Sequence, residues 1–233
     1  MIHRRCISLA LFLCAGAAFA GPPQSAVEAD FAAASARVET PARAGAERAL
    51  RDFAAQWRGQ AGTLPQGFPF DVADVGDVAR AQVGYGFRVY DTDPAMLLAG
   101  ASVGDAARAT DTWRFGVTLD GRPIGLMTLV QDAGGWQAVS FGGAGLAKEI
   151  DAVVDARGDE PLRYVRVKQA TSDFIAVGEG GKARYAPLRA ARESLRLAAV
   201  GKRDGDGLYA DADIAAQLRD SLGRATAGEQ GEK

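Results

Sequence analysis

TWRFGVTLDGRPIGLMTLVQDAGGWQAVSFGGAGLAKEIDAVVDAR, residues 112–157, reads as three antiparallel strands that lead through a glycine turn into an amphipathic helix. Trp113, Phe115, Val117 and Leu119 alternate with Arg114, Gly116 and Thr118, the period-two pattern of a strand with one buried face. Asp120-Gly121 follows. A two-residue type I′ hairpin loop needs positive φ at both central positions, and this dipeptide tolerates it. Such a loop predicts a register: Val117 opposite Ile124, Phe115 opposite Leu126, Trp113 opposite Thr128, and Gly116 beside Gly125. Asp132-Ala133-Gly134-Gly135 then turns the chain into a third strand, Trp136–Phe141.

The helix that follows carries Leu146, Ile150, Val153 and Val154 on one face and stops at Gly158. Gly142-Gly143-Ala144-Gly145 precedes it, and a glycine-rich turn entering a helix can aim backbone N–H groups at an anion. Gly143, Gly145 and Lys148 are therefore candidate anion ligands, set against the plainer reading of a tight structural turn. The spacing is neither the P-loop, which needs Gly-Lys-Ser/Thr, nor G-x-G-x-x-G.

Upstream, Ser25–Arg58 has helical character, with Thr40-Pro41 as a cap-and-proline restart and an apolar stripe of Ala46, Leu50, Phe53, Ala54 and Trp57. Gly59–Asp71 holds glycines and prolines and reads as a linker or surface loop, while Val72–Val83 fits no single pattern. Gly84–Tyr90 reads as a strand with Tyr85, Phe87 and Val89 on one face, and Thr92-Asp93-Pro94 opens a short helix through Leu98. Downstream, Tyr164–Lys168, Phe174–Val177 and Tyr185–Leu188 form a second meander. Glu179–Lys182 is its hairpin turn, and a helical run, Ala190–Val200, follows. No residue-level identity makes the two meanders a repeat. Arg163, Arg166 and Lys168 read as a basic row, either a solvated face or a contact for an acidic partner.

Arg4 and Arg5, the apolar run Ile7–Leu13 and Ala18-Phe19-Ala20 make the charged, hydrophobic and cleavage regions of a secretory signal peptide. The expected destination is the periplasm or the outside of the cell, with cleavage after Ala20. The apolar run is shorter than the roughly 20 residues that span a bilayer. Leu13 before Cys14 is bulky where lipid attachment wants a small residue. The sequence's two cysteines, Cys6 and Cys14, and its one histidine, His3, all lie in the leader. The exported chain would hold no disulfide and no thiol nucleophile. It would also lack a Cys or His metal ligand and any imidazole for a Ser-His-Asp or Cys-His triad. Loss of Arg4 and Arg5 moves the formal charge of −2 two units further negative. No basic block with interleaved aromatics occurs, which argues against a nucleic-acid partner, and no later stretch suits a membrane anchor.

Between two helical runs lies KRDGDGLYADAD, Lys202–Asp213, which resembles a degenerate calcium loop of the EF-hand or dockerin type. Asp204, Asp206 and Asp213 match ligand positions and Gly207 the turn glycine, while Lys202 stands where the first aspartate belongs and repels the ion. Calcium is the one cofactor the sequence offers. The plainer reading makes Asp211 the cap of a helix over Ile214–Leu222.

The expected architecture is α+β: a mostly antiparallel sheet of two meanders with helices packed on one face, a cystatin-like or similar arrangement. The segments are a leader over 1–20, an N-terminal helical arm over 21–62, a core over 63–200, and a C-terminal turn, short helix and polar tail over 201–233. Fold alone carries no function. The leading expectation is a non-catalytic exported module that binds a peptide, protein or small ligand. Its exposed strand edge would accept an extended segment, and Tyr85, Trp136 and Phe141 are the aromatics to test first, against the plainer reading that all three belong to the core. One rival is a carboxylate-based hydrolase acting on an envelope polysaccharide or peptide, with Asp91 and Asp93 close in sequence. Another is a structural or assembly partner acting through the amphipathic N-terminal helix.

Overall fold

The computed structural model describes residues 24–60, 62–179, 182–197 and 207–230, with side chains described over 40–224 of these. The chain runs α1 (Gln24–Gln56), a 3-10 turn (Val75–Arg80), β1 (Gln82–Thr92), α2 (Pro94–Leu98), α3 (Val103–Ala106), β2 (Ala107–Leu119), β3 (Arg122–Asp132) and β4 (Gly135–Gly142). It continues through α4 (Ala144–Arg157), β5 (Leu162–Val167), β6 (Ser172–Val177), β7 (Arg184–Pro187), α5 (Arg189–Ser194), β8 (Tyr209–Ala210) and α6 (Asp211–Gln230).

Among the described residues the strands form one eight-stranded sheet in the order β4-β3-β2-β1-β5-β6-β7-β8. Every neighbouring pair is antiparallel except β1 and β5, which join the two meanders in parallel through Val89, Tyr90 and Asp91 against Tyr164, Val165 and Arg166. The α+β, mostly antiparallel architecture is as the alternation predicts. Among the described residues no helix is long and apolar enough to cross a membrane.

Asp120 and Gly121 take φ of 50° and 79°, the paired positive values of the expected loop, and Leu119 faces Arg122 across it. The register beyond differs from the prediction. Thr118 pairs with Pro123 but Val117 pairs with Gly125, so Ile124 is an extra residue in β3. Pro123 has no N–H to give the ladder, and an extra residue beside it is a β-bulge. The bulge is held from outside. The Asp71 amide donates to the Ile124 carbonyl at 2.9 Å, and a Cβ on Gly125 would meet the Phe70 ring at 2.7 Å. Past the bulge Phe115 faces Met127, Trp113 faces Leu129, and Arg114 faces Thr128. Thr128, predicted opposite Trp113, is thereby turned to the other face of the sheet.

Both faces are covered. On one, Ala42, Ala46 and Leu50 of α1 pack on Trp113, Phe115, Val117, Met127, Leu129 and Trp136. Gly45 permits the closest approach, since a Cβ there would sit 2.7 Å from the Trp136 Cβ. α1 passes through Thr40-Pro41 unbroken instead of restarting. Pro41 is exposed, where water can satisfy the carbonyl that its ring leaves without a donor. On the same side, Ile214, Ala215, Leu218 and Leu222 of α6 join Leu97, Val103 and Ala106 over Val165, Phe174, Ala176 and Tyr185. The 40–56 part of α1 and the body of α6 are thus components of the core. α4 takes the opposite face and buries Ala147 and Ile150 against Phe87, Val89, Leu126, Tyr164 and Ile175.

The expected cap at Asp93 is present, accepting from the Ala95 and Met96 amides. Asp211 acts elsewhere than predicted: it is itself the first residue of α6, and its carboxylate accepts from the Val103 and Gly104 amides of α3 at 3.2 and 3.3 Å. It ties the two helix starts together.

Candidate functional site

α4 covers only part of its face of the sheet. Beside it runs a polar strip built from alternate residues of β3, β2, β1, β5 and β6: Thr128 opposite Arg114, Val130 opposite Thr112, and Asp91 opposite Arg166 opposite Asp173. Thr112, Arg114, Thr128, Arg166 and Asp173 are each half-exposed. On edge strand β4, Ser140 stands opposite Thr128, and Val139 is 60 % exposed where the β3–β4 ladder slips by a residue.

Tyr164, fully buried, is the hub of the strip. The Arg114 guanidinium lies 4.7 Å from its ring centroid and donates from Nη1 to its hydroxyl at 2.6 Å. The Arg166 guanidinium lies 5.8 Å from the same centroid and donates to Asp173 from Nε at 2.9 Å. Burial pushes the Tyr164 hydroxyl up; the Arg114 charge opposes this and Asp173 adds to it, so the phenol stays protonated. Burial pulls Arg166 down, but its hydrogen bond and charge contact with Asp173 win and hold it above the ordinary arginine value. Further along, Lys168 donates to Asp91 Oδ2, while Asp91 Oδ1 is buried without a protein partner among the described residues. Arg114 differs from its neighbours. Among the described residues it pairs with no carboxylate, and its Nε and Nη2 donate to no protein acceptor.

The aromatic candidates are distributed over both faces. Trp136 is buried beneath α1 and Phe141 packs in a cluster with Phe53 and Phe70, at centroid distances of 4.8 and 5.9 Å. Tyr85 lies on the α4 side, half-buried, with its hydroxyl bonded to Asp151. Burial, then the Asp151 hydrogen bond, raises its hydroxyl well above the ordinary phenol value. Gly143 takes the left-handed conformation, φ 71°, as the residue before α4, and Gly145 follows within the first turn. Lys148 donates to Asp71 at 2.7 Å, which lowers the Asp71 carboxyl through that hydrogen bond and the lysine charge. Asp204 and Asp206 lie outside the described residues. Asp213 sits in the first turn of α6, and among the described residues no group of three Asp, Glu, His or Cys is placed to hold a metal.

The basic row does not survive strand alternation. Arg166 belongs to the strip, whereas Arg163 faces the opposite side, 5.9 Å from the Tyr90 ring centroid, with its Nη2 donating to the Gly178 carbonyl. A separate groove of about 350 Å³ between α1 and the start of β1 is floored by Leu50 and Val78 and rimmed by Glu47 and Arg51. Opposite charges one helical turn apart give it no net charge with which to select a ligand, so the strip is the stronger candidate. No protein-family model, curated protein or solved structure matches this chain.

The sequence offered Arg114 only as the outward residue of a strand. Its meeting with Tyr164, 50 positions away, depends on the parallel β1–β5 pairing. The one legible clue was the odd pairing of Thr128 with Trp113 in the unbulged register.

Proposed function

We propose that this chain is an exported, non-catalytic module that binds a peptide, a protein or a small ligand in the cell envelope or outside the cell. The observation that carries the reading is the strip itself: a polar, half-exposed row on a sheet whose other apolar rows are covered by helices. The sequence supports it by subtraction, because cleavage after Ala20 would remove the only thiols and the only imidazole. The strip's two carboxylates support it as well. Both are committed to ion pairs, Asp173 with Arg166 and Asp91 with Lys168, which suits a recognition surface.

The test is capture from envelope extract by the immobilised protein, read by mass spectrometry, beside a Thr128→Trp variant that fills the strip. A molecule retained by the parent and lost by a variant with an unchanged melting temperature is the expected result. Equal retention by both removes the strip as the binding face.

A further inference from the structure

We propose that Arg114 anchors a carboxylate site on this strip, with the Thr128 hydroxyl beside it, so that the ligand is a monoanionic carboxylate. This rests on the reading of the strip as the binding face and assigns the chemistry of what it takes.

The argument begins with donors. A guanidinium has five N–H groups in a rigid plane, and its outer edge matches a carboxylate with two parallel hydrogen bonds. Arg114 spends Nη1 on Tyr164 and rests its plane over the phenol ring, which fixes its orientation before any ligand arrives. Preorganisation of this kind removes the ordering cost that a free arginine would bear on binding. Its Nε and Nη2 remain without a protein acceptor among the described residues. Partly buried charges in folded proteins are ordinarily paired, and the other strip cations follow that rule: Arg166 has Asp173, and Lys168 has Asp91. Beside Tyr164 the unmatched charge is on Arg114; Arg108, opposite Asp91 at the end of the row, spends its guanidinium on the Asp105 and Ala107 carbonyls and the Met96 sulfur.

Charge also selects among oxyanions. Next to Arg114 the Arg166–Asp173 pair carries no net charge, so one carboxylate neutralises the Arg114 guanidinium, while Arg108, opposite Asp91 in the ladder, is a further cation at the far end of the row. A phosphate group brings about 1.5 to 2 negative charges and would sit against Asp173 and Asp91 with part of its charge uncompensated. Thr128, directly opposite Arg114 in the ladder, supplies a neutral hydroxyl donor on the same face.

The experiment is a nuclear magnetic resonance titration of the purified protein with sodium acetate, sodium phosphate and sodium chloride at matched ionic strength. It follows the Arg114 Nε–H and the backbone amides of Thr112 and Thr128. Saturable shifts with acetate at millimolar concentration, weaker ones with phosphate and none with chloride are expected. Arg114→Lys keeps the charge but loses the fork and should weaken acetate by about tenfold or more; Arg114→Gln should abolish the response with the fold intact by thermal melting. An acetylated alanine tripeptide with a free carboxyl terminus, compared with its amide and with acetate, separates the sources. Tighter binding of the free acid than of acetate assigns a peptide terminus, and equal binding assigns a small organic acid. Phosphate stronger than acetate, a matching chloride response, no saturable shift, or an unchanged response in Arg114→Gln overturns the proposal. Failure here is separable from failure of the binding reading. If a captured molecule is lost with Thr128→Trp but kept by Arg114→Gln, the strip stands and its carboxylate assignment falls. If acetate binds yet Thr128→Trp captures as the parent does, the reverse holds.

Discussion

Trp113, Phe115, Met127 and Leu129 on one face of β2 and β3 are shut away beneath α1, whereas Thr112, Arg114, Thr128 and Val130, each one residue away, stay half-exposed on the other. The same two strands carry a core and a candidate site. What separates them is the bulge at Ile124, because a one-residue slip exchanges every side chain between faces. With the unbulged register Thr128 would lie under α1 opposite Trp113, and Leu129 would stand in the strip. Position along the chain therefore counts for less than parity relative to the bulge.

Neighbouring truncations break or sharpen that contrast most strongly. Leu129→Ala, at a fully buried position, should cost about 2–5 kcal/mol of unfolding free energy in urea. A loss no greater than that of a surface mutation would place Leu129 on the wrong face. Gly86→Ala comes next. A Cβ there would lie 2.2 Å from the Phe115 ring, and overpacking of this kind costs about 1–3 kcal/mol. Pairing it with Phe115→Leu should recover part of that cost, and strictly additive effects in the double-mutant cycle would mean that the two do not touch. Thr128→Ala should change stability by less than about 0.5 kcal/mol; a loss comparable to that of Leu129→Ala would favour the unbulged register.

The smallest effect concerns the strut that holds the bulge. Asp71 gives its amide to Ile124 and its carboxylate to Lys148. Its carboxyl lies below the ordinary value in the folded state, through the Lys148 hydrogen bond and then the Lys148 charge. The contribution is fully present above the unfolded-state value and is lost as pH falls through the folded one. Lys148→Gln should move the Asp71 midpoint upward in a carboxyl-carbon titration. An unmoved midpoint would show that the pair does not persist in solution. Both side chains are well exposed, so salt should weaken the pair and its effect on stability should be slight.

The α1 stripe, the Asp120-Gly121 loop, the Asp93 cap and the sheet character of both meanders were legible because each is local: spacing, turn chemistry or a cap within a few residues. Errors arose where distant chain intervened. The 70–71 segment pins the bulge and α3 claims Asp211, whereas Arg163 and Arg166, three apart in β5, part by local alternation alone. The core reading of Trp136 and Phe141 holds, because apolar area drives both into the α1 cluster.

By itself the sequence determined the alternating strands, their turns, the amphipathic helices and the confinement of thiol and imidazole to the first twenty residues. Those properties follow from backbone preferences and composition, which act over a few positions. Only the tertiary structure decided that β1 joins β5 in parallel, that an extra residue in β3 turns Thr128 outward, and that Arg114 settles over Tyr164 with Nε and Nη2 unspent among the described residues. Contacts between residues dozens of positions apart are set by how whole elements pack, and no local pattern encodes that.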